Sequence, residues 1–190
     1  MSAPVYFSLD LVLSDDLAQR QKEICTAFKL QPRTELHLTL GFLGELTEPQ
    51  VAQITAAFRA AKLSVPRSMK VLGLGGAARE NETSPILAFT RARLVDEKLQ
   101  RVAWLAIEPS PELLTLRDEL WKALGRTAPP GKFWPHVTLG SAGPPLFDVH
   151  QIDKGASETD QRTLTLTVKK LHLTDIGRHP ASIAERLPAP

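Results

Sequence analysis

Two stretches decide how this chain reads: Glu35-Leu36-His37-Leu38-Thr39-Leu40-Gly41 and Trp134-Pro135-His136-Val137-Thr138-Leu139-Gly140. Each is short and carries its polar and apolar side chains in alternation, the pattern of a half-buried strand. Successive side chains on a strand point to opposite faces, so His37 and Thr39 share one face while Leu38 and Leu40 take the other. His136 and Thr138 stand over Val137 and Leu139 in the same way.

What precedes each stretch is repeated too. Residues 5–9 form a predicted strand, Ser14 offers an N-cap, and Leu17, Ile24 and Phe28 follow at helical spacing. In the second half residues 102–107 form a predicted strand, Ser110 is the cap with Pro111 at the first helical position, and Leu113, Leu116, Leu120 and Leu124 make an apolar stripe. Ser110 follows Ser14 by 96 residues, and His136 follows His37 by 99. The chain therefore reads as one strand–helix–strand unit used twice, its halves packing as lobes of a single domain over residues 1–190. Between them, Thr47 and Gln50 form a capping box around Pro49, opening a helix that turns Val51, Ile54 and Phe58 inward. Residues 69–74, 86–90 and 163–174 are further predicted strands, and residues 140–155 a loop.

Composition sets bounds. Of 190 residues 43% are hydrophobic and 23% charged, as in ordinary globular proteins. A net charge of +2 is compatible with a phosphate-bearing partner, without the dense basic stripe of a non-specific duplex binder. The one cysteine, Cys25, excludes an intramolecular disulfide, favours a reducing compartment and reads as a small buried hydrophobe. No apolar run reaches membrane length, and the start Met1-Ser2-Ala3-Pro4 lacks the features of a secretory signal. A soluble cytoplasmic protein, acting as a monomer, is expected.

If the two units pack about a pseudo-twofold axis, both His/Thr faces line one cleft. Two imidazoles and two hydroxyls suit phosphodiester chemistry: a neutral histidine takes a proton from the attacking oxygen and a protonated one gives a proton to the leaving oxygen. The unperturbed imidazole pKa of about 6.5 lets both forms exist near neutrality. Thr39 and Thr138 can donate hydrogen bonds to the non-bridging phosphate oxygens. Alone, either histidine reads as a hydrogen-bonded structural residue; it is the matched pair that points to chemistry. No Asp or Glu at ligand spacing completes a metal shell around the pair. A third match, His172-Leu173-Thr174, is different. Alternation puts His172 on the apolar face of Leu164, Leu166 and Val168, so it reads as structural. His150 and His179 receive no role.

The motifs Leu36-His37-Leu38-Thr39-Leu40 with Gly41-Phe42-Leu43-Gly44-Glu45, the strand Trp104-Leu105-Ala106-Ile107, and Pro135-His136-Val137-Thr138-Leu139 resemble the 2H phosphoesterase superfamily. The likeness is greatest to its branch of bacterial and archaeal 2′-5′ RNA ligases, or RNA 2′,3′-cyclic phosphodiesterases. The resemblance implies an α+β, bilobal, duplicated fold with two antiparallel sheets around a central cleft and helices outside. It implies catalysis by His37 and His136, with Thr39 and Thr138 on the phosphate. The implied reaction is hydrolysis of a terminal RNA 2′,3′-cyclic phosphate to a 2′-phosphomonoester, with neither metal nor cofactor, and with reversible 2′-5′ ligation as a side reaction. By analogy His37 is the acid and His136 the base. RNA 3′ ends or small cyclic nucleotides are the implied substrates. Open alternatives are 2′-5′ oligoadenylates, ADP-ribose cyclic phosphate, or a non-catalytic RNA- or nucleotide-binding module. The chain departs from the family where a basic residue often follows each motif: here stand Gly41, and Gly140-Ser141-Ala142-Gly143. Arg126 and Lys132 are then the nearest candidates for phosphate contact. Phe42 and Trp134 flank the motifs and could stack on a base, although burial in the core is the stronger expectation for each.

Overall fold

The computed structural model describes residues 3–27, 29–74, 93–95, 98–129, 133–142, 164–175 and 182–188. In chain order the elements are β1 (Ala3–Leu11), α1 (Asp15–Ala27), a two-residue β2 (Gln31–Pro32), β3 (His37–Leu46), α2 (Glu48–Ala60), β4 (Ser68–Leu74), β5 (Arg93–Val95), β6 (Lys98–Ile107), α3 (Pro111–Ala123), β7 (His136–Ala142), β8 (Thr165–Asp175) and β9 (Ser182–Arg186). The expected strand at residues 86–90 and most of the expected loop at 140–155 lie outside the described residues.

The helices start where their caps dictate. Ser14 Oγ accepts a hydrogen bond from Leu17 N–H at 3.3 Å, and Ser110 Oγ accepts one from Leu113 N–H at 3.3 Å. Equivalent serines thus satisfy equivalent first-turn donors. At α2, Gln50 Oε1 accepts from Thr47 N–H at 2.8 Å. No described helix is long and apolar enough to cross a membrane.

The α+β class read from the sequence is the one adopted, and among the described residues all the strand pairs are antiparallel. One half is built on β3-β1-β8, with β9 beyond β8; the other on β7-β6-β4, with β5 beside β6. The halves join twice. β4 meets β8 through Ser68 to Lys70, and β3 meets β7 through Leu38 opposite Val137. The two motif strands are therefore neighbours.

Apolar residues from both halves fill one core: Phe7 and Leu9 of β1, Leu38 and Leu40 of β3, Leu105 and Ile107 of β6, and Val137 and Leu139 of β7 are each 2% exposed or less. Phe7 stacks on Phe58 of α2 at 5.9 Å between ring centroids. The first and third helices cross over. Cys25 of α1 packs on the other half's β7, its Sγ only 2.6 Å from where a Cβ on Gly140 would stand. Trp121 of α3 packs on the first half's β3, its ring 2.9 Å from where a Cβ on Gly41 would stand. Trp121 follows Cys25 by the same 96 residues that separate the caps. The glycine four residues after each motif histidine is thus explained by packing: a helix from the opposite half occupies the side-chain position.

Three sequence expectations need correction. The first motif strand is not the short stretch closing at Gly41 but runs on to Leu46, because β1 pairs with it over that whole length. Gly41 and Gly44 fall beside register shifts rather than at an end. The alternation in β8 does not run through. Asp10 pairs with Lys170 but Leu11 pairs with Val168, which leaves Lys169 as an extra residue in a β-bulge. Before the bulge Leu166 and Val168 are buried; after it the buried residues are Leu171 and Leu173. The bulge moves His172 off the apolar face and onto the opposite one. Finally, Phe42 and Trp134 are not core residues, being 63% and 46% exposed.

Candidate active site

Leu38 and Val137 face each other across the junction of β3 and β7, both fully buried. Their neighbours in sequence must then point away from the core. That one pair fixes the antiparallel order, so His37 and Thr39 of β3 and His136 and Thr138 of β7 flank it on the same side of the sheet. The two histidines and two threonines therefore border one junction, two from each strand.

The flanking strands extend this face. On β1, Asp10 pairs with His37 and Ser8 with Thr39, while Tyr6, on the same face, brings its ring to 5.7 Å from that of His37. On β6, Trp104 pairs with Thr138 and meets the His136 ring edge-on at 5.3 Å. Tyr6 is hydrogen-bonded to the Thr174 side chain, and burial pushes its phenol above the ordinary value.

The two histidines stand in unlike surroundings. His136 is exposed, and its Nδ1 lies 3.0 Å from the carbonyl oxygen of Trp134. A carbonyl can only accept, so Nδ1 carries the hydrogen and Nε2 is left as the nitrogen that gains and loses a proton. His37 is more enclosed, and burial lowers its pKa from 6.5. Asp10 and Glu35 oppose that shift, whereas Arg33 and His136 add to it. Together the groups can hold one proton donor and one proton acceptor beside a common small anion. Among the described residues, no group of three or more His, Cys, Asp or Glu side chains is arranged to hold a metal ion.

The family model described as the 2′-5′ RNA ligase superfamily matches residues 29–180, a span that contains both motifs. The chain belongs to the 2′-5′ RNA ligase superfamily. No curated protein matches its sequence. Among solved structures, Escherichia coli LigT complexed with 3′-AMP is similar over 100% of both chains, with a TM-score of 0.59 at 18% identity. A structure described as a phosphoesterase covers 99% of each chain at a TM-score of 0.55 and 17% identity. The protein TT0787 of Thermus thermophilus matches 91% of this chain and 87% of its own at a TM-score of 0.50 and 21% identity. At these identities the likeness is one of fold.

The remaining residues of this superfamily member divide by where the chain puts them. Phe42 lies beside Tyr6, ring to ring at 5.8 Å, and Trp134 immediately precedes Pro135 and His136; both are exposed at the rim. Arg126 is exposed in the turn after α3, where its backbone N–H is bonded to Trp121. Lys132 lies outside the described residues. The cation that does act on His37 is Arg33, which the sequence reading passed over. Its backbone is tied to the second motif strand: Arg33 N–H donates to Leu139 O at 2.8 Å, and buried Gln21 Nε2 donates to both Arg33 O and Leu139 O, each at 2.8 Å. The site face was also richer than expected, with Tyr6, Ser8 and Asp10 on β1 and His172 and Thr174 on β8. The alternation Tyr6, Ser8, Asp10 against Val5, Phe7, Leu9 was the signal for the first three.

Proposed function

We propose that this protein is an RNA 2′,3′-cyclic phosphodiesterase in which His37 and His136 handle protons on either side of one phosphorus. The observation that carries this reading is the pairing of Leu38 on β3 with Val137 on β7, which leaves both motif histidines and both motif threonines on one face at the junction. His136, with Nδ1 committed to a carbonyl, offers Nε2 as the base that takes a proton from water. Water attacks phosphorus, the bond to the ribose 3′ oxygen breaks, and His37 gives that oxygen its proton. The product is a 2′-phosphomonoester. Burial disfavours a charged His37 in the empty cleft, but the negative charge of an entering cyclic phosphate favours it again, so substrate binding loads the acid. Thr39, Thr138 and Arg33 are the proposed donors to the non-bridging oxygens. With a 5′-hydroxyl in place of water the same step makes a 2′-5′ linkage.

Phe42 and Trp134, exposed beside the motifs, are proposed as stacking surfaces for a base, each such contact being worth about 1–3 kcal/mol. Complexes of LigT with 3′-AMP, ATP and NADP+ support a nucleotide-sized ligand for this fold. We place the enzyme in the cytoplasm, acting alone on RNA 3′ ends. The test is incubation with an RNA ending in a 2′,3′-cyclic phosphate, in EDTA. The expected product is the 2′-phosphomonoester; a 3′-phosphomonoester, or an unchanged end, would refute the reading.

A further inference from the structure

The face that carries the two motifs continues past them, and one row on it runs from His37 to three residues that have no part in the chemistry described so far. His37 on β3, Asp10 on β1, His172 on β8 and Glu185 on β9 come from four successive neighbouring strands. Asp10 is the register partner of His37. Its Oδ2 lies 3.2 Å from His172 Nδ1, and His172 Nε2 lies 3.4 Å from Glu185 Oε2. Glu185 is held in turn by Lys170, 2.7 Å away. The row is screened from water at its centre, the His172 and Asp10 side chains being 12% and 24% exposed. Only the bulge at Lys169 brings His172 here, since unbroken alternation would have turned it into the core.

We propose that Asp10 is a positioning residue for His37: its carboxylate, gripped from the far side by His172, supplies the fixed negative charge that keeps the neighbouring imidazole able to hold a proton. The inference rests on the reading of His37 as an acid–base group. The groups facing His37 are Tyr6 and Asp10 from β1, Arg33 and Glu35 from the segment before β3, and His136 from β7. Arg33 and His136 work against a charged His37; Glu35 is exposed and therefore screened, which leaves Asp10 as the sheltered counter-charge. His172 explains why a half-buried carboxylate stands on this strand with its charge in place: it bonds one oxygen on the side away from the site. Burial raises the Asp10 pKa and Glu35 adds to the rise, while His172, His37 and Lys170 offset part of it, so that the net direction stays upward.

The test is the ring titration of His37 by NMR in the wild-type protein and in Asp10→Asn, which keeps the shape and removes the charge. With five histidines in the chain, the resonance can be assigned from a His37→Asn spectrum. In Asp10→Asn the His37 midpoint should fall by about one pH unit. Asp10→Glu should restore at least half of that shift, which a merely structural role for the aspartate would not require. On a cyclic-phosphate substrate kcat should drop about tenfold, with KM within about threefold. Should Asp10→Asn not fold, the wild-type protein still gives the answer, because its His37 resonances should show a second inflection in the carboxylate range as Asp10 takes up a proton. An unmoved midpoint in a folded Asp10→Asn, or no second inflection in the wild-type protein, overturns the proposal. The ring titration needs no substrate, so it decides this point even if the RNA reading fails.

Discussion

Adding one methyl group to Gly140 should cost this protein a sizeable part of its stability, and the reason lies in how its halves are interlocked. A Cβ at Gly140 would stand 2.6 Å from Cys25 Sγ, 2.7 Å from the backbone oxygen of Gln31 and 3.3 Å from Leu30 Cβ. Two of these distances lie below any van der Waals contact, and one involves backbone that cannot rotate aside. Overpacking of this kind costs about 1–3 kcal/mol, and with a main-chain contact involved the upper end applies, about 3 kcal/mol. For a chain of this length that corresponds to a loss of roughly 6–12 °C in Tm. Urea unfolding of Gly140→Ala against wild type measures it directly. The double variant Cys25→Ala/Gly140→Ala separates the two clashes: removing sulfur should return about 1 kcal/mol, while the Gln31 oxygen keeps the rest. At the equivalent position, Gly41→Lys would add a cation after the first motif, yet its Cβ would meet the buried Trp121 ring at 2.9 to 3.2 Å. It should therefore destabilise as well, by about 1–2 kcal/mol. A Gly140→Ala protein within about 0.5 kcal/mol of wild type would refute the reasoning that the helices cross between halves at these glycines.

Other consequences follow from the same contacts. Gln21→Leu removes the amide that bonds Arg33 O and Leu139 O; two lost hydrogen bonds predict about 2 kcal/mol of destabilisation by urea unfolding, and an unchanged midpoint would show that the tie is idle. If His37 is the acid it must be protonated to act, and its pKa lies below 6.5. The kcat/KM profile of the free enzyme needs one ring charged and the other neutral, so it should be bell-shaped, with its acid-side inflection below 6.5 whichever histidine is the acid. The corresponding limb of kcat should lie higher, since bound phosphate favours the charged ring. An acid-side inflection of kcat/KM at or above 6.5, or no acid-side limb, would contradict a His37 whose pKa burial has lowered acting in the reaction. Phe42→Ala should raise KM for an RNA substrate about tenfold with kcat little changed; an unaltered KM would remove this ring from the binding surface.

Much of this architecture could be read from the residues because it rests on local rules. The serine caps, the helical stripes and the strand alternation each follow from a few neighbouring side chains, and duplication showed them twice. What escaped the reading depends on pairing between distant segments. The bulge at Lys169 has no signature within β8 itself; it exists because β1 and β8 fall out of step by one residue, and that single step turns His172 from an apolar neighbour into the partner of Asp10. Arg33 sits in an irregular segment between β2 and β3 and becomes part of the site only because its backbone bonds β7. Phe42 and Trp134 looked like core residues by type, yet the core positions beside them are taken by Leu43 and Pro135. Gly41 looked like a missing cation, and its cause was Trp121, 80 residues further along the chain.

The central claim is that two imidazoles act together on a single phosphorus, and rates of His37→Asn, His136→Asn and the double variant on one cyclic-phosphate substrate test it most directly. Each single change should cost about 10²–10⁴-fold in kcat, and the double change far less than the product of the two, since an acid without its base has little left to do. Losses that simply multiply, or either single variant within about tenfold of wild type, would contradict the account.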